Sequence, residues 1–153
     1  MQHETTIFDR ADLCLVGHPA IDEAHREFDL LLQAMREATG ERLAPALTAM
    51  RAHAEAHFAL EEELMARHNF PARECHAEEH ERVMASIVEV TELLRAGDTG
   101  VVHELAQALA DWFPGHSDYM DASVANWITR KATGGAPIVL RRPARAAVAL
   151  ESL

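Results

Sequence analysis

Aromatic residues make up only 5% of this 153-residue chain, and glycine and proline together number 13, too few for the turns and aromatic-rich strands of an all-β protein. Cysteine occurs twice, at Cys14 and Cys75, so no disulfide framework exists and the usage fits a reducing compartment. No apolar run approaches the roughly 18 residues that cross a bilayer, and Met1 to Arg10 has neither a basic n-region nor an apolar h-region. The expectation is a soluble, cytoplasmic protein with no membrane partner. Basic residues are also few, 14 against 25 acidic, and the resulting net charge of −11 repels phosphate backbones and argues against nucleic acid as a partner. The length leaves room for one compact domain. What the chain has in abundance is alanine, 28 residues by count, which favours helix, and histidine, of which there are ten.

Apolar positions recur at helical spacing. Ile21, His25, Phe28, Leu32 and Met35 form one face of a helix from about Pro19 to Ala38, stopped by Gly40. A second face runs Leu47, Met50, Ala54, His57, Glu61 and Leu64 and ends near His68, where Asn69 and Pro71 are stop signals. A third runs His76, His80, Val83, Ile87, Val90 and Leu94 to Gly97, and a fourth helix covers Val101 to about Lys131, interrupted at Pro114-Gly115. Four helices with short connections predict an all-α, up-down-up-down antiparallel four-helix bundle over residues 1–131. Beyond it the composition turns to Gly, Pro and Arg, predicting a mobile basic C-terminal extension over 132–153. Residues 1–129 carry 9 basic and 24 acidic groups, net −15, and residues 130–153 carry 5 and 1, net +4.

The inward faces hold unusual content. A buried polar group without a partner costs a few kcal/mol, so several at core positions require something that satisfies them together. Residues four apart on a helix lie roughly 40° apart around the axis and can reach one ion. Two pairs use this spacing, His57 with Glu61 and His76 with His80; His25, His116 and Asp121 give every helix at least one candidate ligand. Five imidazoles and two carboxylates are too many for one ion, since a structural zinc takes four ligands. Two ions bridged by the two carboxylates would use all seven. Asp121 is the difficult member: it follows His116 by five residues, roughly 140° around an ideal helix, so a local adjustment is needed, for which Pro114-Gly115 supplies a cause.

H-P-A-I-D-E-A-H (His18 to His25), H-F-A-L-E-E (His57 to Glu62), H-A-E-E-H (His76 to His80) and H-S-D-Y-M-D (His116 to Asp121) resemble, in order and spacing over about residues 8–131, the four motifs of the hemerythrin family, specifically its bacterial branch. The resemblance implies two iron ions with a bridging oxo or hydroxo group, one iron bound by His76, His80 and His116, the other by His25 and His57, with Glu61 and Asp121 bridging. The three-histidine iron is then six-coordinate and the two-histidine iron five-coordinate, open to O2 as a small-molecule ligand. Phe28, Phe58, Trp112 and Phe113 resemble the family's pocket residues. Ser117, directly after His116, departs from the aliphatic residue common there and puts a hydroxyl near the pocket.

The implied function is reversible O2 binding, as carrier, buffer or sensor, rather than catalysis. The alternative is a di-iron enzyme acting on peroxide or nitric oxide, or in iron–sulfur repair, to which Ser117 gives weight. A phosphotransfer module with an exposed histidine is disfavoured by the inward placement of the candidate ligands. Of the other histidines, His3, His68 and His103 are expected to be solvated, while His53, one turn before His57, and His18 are candidates for outer partners of the ligands rather than ligands. Glu62 reads as a surface acid and Cys75 as a packed or partly exposed thiol.

Overall fold

The computed structural model describes residues 15–134. Among them the chain forms α1 (Pro19–Glu37), α2 (Leu43–Arg67), α3 (Arg73–Arg95), α4 (Val101–His116), a π turn (Ser117–Asp121) and α5 (Ala122–Ala132), with a 3-10 turn at Gly40–Arg42 leading into α2. Backbone angles stay in the right-handed helical region through His116, Ser117, Asp121 and Ala122, so α4, the π turn and α5 make one continuous fourth rod. α1 packs on α2 and α4, and α3 packs on the same two, which closes the all-α four-helix bundle expected from the sequence. No helix among the described residues is long and apolar enough to cross a membrane. His3, Cys14 and the basic extension beyond residue 134 lie outside the described residues.

Local chemistry sets the helix ends. α1 starts at Pro19, whose missing N–H is harmless in a first turn, and His18 caps it by accepting the Ile21 N–H at its Nδ1, 3.4 Å. The Asp22 carboxylate accepts the Val16 and Gly17 N–H groups at 2.7 and 3.3 Å and ties the segment before the helix onto its first turn. Between α2 and α3, Asn69 takes a left-handed conformation (φ 51°) and the Phe70 N–H donates back to the Met65 carbonyl at 2.9 Å. Gly97 (φ 100°) ends α3 in the same way, with Asp98 N–H donating to Leu93 O. His103 is exposed, as expected, and its Nε2 also lies 2.7 Å from the carbonyl of Ala38, the C-cap residue of α1.

The core falls into two apolar clusters. The larger holds Phe28, Leu32, Met35, Leu47, Met50, Phe58, Ile87, Leu105, Leu109 and Phe113 among others; the smaller, at one end of the bundle, holds Ile21, Leu64, Met65 and Val124. Each large side chain fully buried contributes about 1.5–3 kcal/mol. Four of the seven candidate ligands fall along their helices where the two clusters meet: His25 between Ile21 and Phe28, Glu61 between Phe58 and Leu64, His116 and Asp121 between Phe113 and Val124, with His57 one turn before Glu61 beside Phe58. His76 and His80 occupy the first turns of α3, which contributes nothing to the smaller cluster. The bundle thus contains a polar layer sealed by apolar packing on both sides.

Candidate metal centre

All seven side chains are buried, none more than 4% exposed. The two carboxylates lie at the middle, and each divides its oxygens between two groups of histidines. Glu61 Oε1 lies 2.7 Å from His57 Nε2 and 3.9 Å from His25 Nε2, while its Oε2 lies 3.2 and 3.1 Å from Nε2 of His76 and His80. Asp121 Oδ2 lies 2.8 Å from His25 Nε2, and its Oδ1 lies 3.0 Å from Nε2 of both His76 and His116. Two clusters result, one of five residues (Glu61, His76, His80, His116, Asp121) and one of four (His25, His57, Glu61, Asp121), with the donor atoms of each within 4.8 Å of one another.

The five-residue group gives the clearer test of whether a metal fits. Nε2 of His76, His80 and His116, together with Glu61 Oε2 and Asp121 Oδ1, are buried without a hydrogen-bond partner among the described residues, although they converge to 3.0–3.2 Å. Distance is satisfied and hydrogen-bond alignment is not. A cation between the five atoms resolves the conflict, because it asks only that lone pairs converge. The residues therefore fit a non-haem metal site. Without an ion the same atoms compensate one another electrostatically. Burial alone raises the Glu61 carboxyl, but His25, His57, His76 and His80 hold it well below the usual range. Asp121 is likewise raised by burial and brought down to about 2 by His116, His25 and His76. Burial lowers His76, yet Asp121 and Glu61 override it and lift the imidazole to about 9, whereas for His80 burial prevails and the shift is downward.

His76 therefore carries a proton at neutral pH when no ion is bound, and a metal must displace it. Affinity for divalent metal is expected to rise with pH up to about 9, with proton release on binding. Titration calorimetry in buffers of differing ionisation enthalpy reads that release directly; binding enthalpies independent of the buffer at pH 7 contradict it.

Asp121 joins the group through the π turn. The Ala122 N–H donates to Ser117 O, an i to i+5 bond, which widens the turn so that residues five apart come to one side. The sequence places an interruption at Pro114-Gly115; instead α4 runs through both to His116, and the irregularity follows the ligand rather than preceding it. Ser117 is fully buried at the start of that turn.

Aromatic rings wall the layer. Phe113 meets His25 edge-on at 4.8 Å, and Phe28 packs on Phe113 at 4.5 Å, so these two stand on the four-residue side. Phe58 stacks on His80 at 3.9 Å and Trp112 on His116 at 4.4 Å, which puts them against the five-residue side. Sequence spacing passed over Glu79. Its Oε1 accepts both the Trp112 Nε1–H at 2.7 Å and His116 Nδ1 at 2.9 Å, fixing the ring so that Nε2 points inward. Burial raises the Glu79 carboxyl, but the His116 and Trp112 hydrogen bonds and the charges of His116 and His76 together bring it below the usual range. The available signal was chemical: a buried imidazole ligand needs an acceptor for its second nitrogen. Glu62 is exposed, as expected of a surface acid, yet its Oε1 comes within 3.9 Å of His80 Nδ1. Cys75 is exposed and takes no part, and His18 serves as a cap. Removing the acceptor in Glu79→Ala is expected to weaken metal binding by about 10–100-fold while leaving the helix content unchanged; competition against a chelator measures it, and an unaltered affinity removes Glu79 from the centre.

Comparison with known proteins agrees with this geometry. Residues 16–128 match the family described as the hemerythrin HHE cation binding domain. A curated relative, the bacteriohemerythrin of Ralstonia nicotianae, is 35% identical over 116 residues, which span 76% of this chain and 85% of the relative. With four histidine- and carboxylate-bearing helices converging on one buried layer and a family match over most of its length, the chain belongs to the hemerythrin family.

Proposed function

We propose that this protein holds two iron ions with a bridging oxo or hydroxo group and binds O2 reversibly. The observation that carries this reading is the division of Glu61 and Asp121, each offering one oxygen to a group of three histidines and the other to a group of two. On this reading His76, His80 and His116 hold one ion, His25 and His57 the other, and both carboxylates bridge. Five donors exceed the four of a structural zinc, and a mixed imidazole and carboxylate set suits iron better than the oxygen-rich sites of magnesium or calcium. Bound there as ferrous ions, the pair would supply the two electrons that reversible O2 binding requires. The four-residue group is one donor poorer, which makes its side the one open to a small ligand. Phe28 and Phe113 border that side, and as apolar walls they exclude the water and protons that would make binding irreversible. The relative's name, bacteriohemerythrin, accords with this function. The free, exposed Cys75 accords with a reducing, cytoplasmic setting.

The test is anaerobic reconstitution with ferrous iron, then air, followed by optical spectra. A coloured form that persists and disappears when O2 is withdrawn supports a carrier, buffer or sensor. Immediate irreversible oxidation, with turnover of peroxide or nitric oxide, favours the enzymatic alternative. The buried Ser117 hydroxyl is the feature that lends that alternative weight. Ser117→Ile is expected to slow oxidation of the oxygen-loaded form, against a cost of about 1–3 kcal/mol for overpacking a filled site. Stopped-flow decay and thermal melting read the two effects separately, and a folded, iron-loaded variant that decays like the parent leaves Ser117 without a role.

A further inference from the structure

His53 is unexplained by the seven-residue layer. It lies on α2 one turn before His57, its side chain is only 9% exposed, and it belongs to neither converging group. Its Nδ1 lies 3.4 Å from Oε2 of Glu27 on α1, a carboxylate that is 57% exposed, and the backbone of Ala24 also faces the ring. The opposite nitrogen, Nε2, is buried with no hydrogen-bond partner among the described residues. The same holds for Nδ1 of His57, the nitrogen that faces away from Glu61. The two rings are 5.4 Å apart between centroids, tilted by 56°, and Phe28 lies 6.4 Å from His53. Two buried, orphaned nitrogens on neighbouring rings each carry an uncompensated desolvation cost. They have complementary chemistry. With His53 Nδ1–H donating to Glu27, its Nε2 is an acceptor; with Nε2 of His57 turned to the metal layer, its Nδ1–H is a donor. Buried water commonly joins such pairs.

We propose that Glu27 and His53 form a positioning unit for His57, with one buried water carrying the hydrogen bond from His57 Nδ1–H to His53 Nε2. This rests on the reading of His57 as a ligand through Nε2. The unit fixes the tautomer and tilt of a ring on the donor-poor side of the centre, where one loosened ligand leaves the fewest to hold the ion. It is the counterpart of Glu79 on the other side, so each half of the centre has its own carboxylate anchored outside the layer, on α1 and on α3.

The experiment titrates the full-length apoprotein with Co2+ alone and follows the two binding steps by absorption. His53→Leu is expected to weaken the second ion by about 10–100-fold and leave the first within about threefold. His53→Gln, which restores a side-chain oxygen as acceptor, is expected to recover most of the loss. Glu27→Gln lies at the surface and does not threaten folding, so it keeps the test decisive if the leucine variant is unstable; it is expected to weaken the second ion by about threefold to tenfold. In 15N-labelled protein loaded with Zn2+, the His57 Nδ1–H resonance is expected to be slow to exchange in the parent and fast in His53→Leu. Unchanged affinity for the second ion in both His53→Leu and Glu27→Gln overturns the proposal, as does equal weakening of both ions, which marks a packing defect. A parent that binds a single Co2+ overturns the two-ion reading itself, and stoichiometry tells that failure from the other.

Discussion

Glu61→Ala is expected to empty both halves of the centre, leaving well under one iron per chain where the proposed di-iron centre of the parent would hold two. Each Glu61 oxygen faces a different histidine group, Oε1 toward His57 and His25 and Oε2 toward His76 and His80, so one truncation removes a donor from each ion. Outer partners of metal ligands already cost about 10–100-fold when lost, and a ligand shared by both ions exceeds that. Asp121→Ala follows the same logic through Oδ1 and Oδ2. His80→Ala is the contrasting case: it touches only the five-residue group and is expected to spare the ion on the other side. Iron analysis of protein reconstituted anaerobically reads all three. Two irons retained in Glu61→Ala, or equal loss in all three variants, refutes the bridging assignment.

Removing the metal from the parent is expected to lower its melting temperature by at least roughly 10 °C, the contribution of one ion alone. An ion held at 100 to 1,000 times its dissociation constant stabilises the native state by about 2.7–4.1 kcal/mol, and one kcal/mol moves a domain of this size by roughly 4 °C. The apoprotein is expected to keep its fold, because Glu61 and Asp121 lie within pairing distance of His25, His57 and His76 in the absence of an ion. What it lacks is a partner for the five converging atoms that hydrogen bonding leaves unsatisfied. Calorimetric melts before and after chelation, at one pH, measure the difference. Identical transitions would place the polar layer outside the energetics of folding.

Much of this was legible in the sequence because helical periodicity is local. His25 shares a stripe with Ile21 and Phe28, and His76 with His80 and Val83, whatever the rest of the chain does, and Asn69 and Gly97 end their helices through their own backbone conformations. The same periodicity flagged Asp121 as misplaced for an ideal helix, but not where the correction sits. The proline and glycine drew the eye to 114–115, whereas the helix absorbs them and widens at Ser117–Asp121. A π turn gives up regular hydrogen bonding, and its place depends on what the side chains gain by arriving at the layer.

The sequence by itself determined the four helices, their inward faces and six of the seven residues that those faces carry, since each of these follows from spacing along a single element; Asp121 reaches the layer only through the π turn. Only the tertiary structure decided how the seven divide. Which oxygen of Glu61 faces which histidine, that Glu79 on α3 reaches His116 on α4, and that Glu27 on α1 lies beside His53 on α2 depend on the relative height and rotation of neighbouring helices. Those quantities are set by the packing of the apolar clusters above and below the layer, which no single helix encodes.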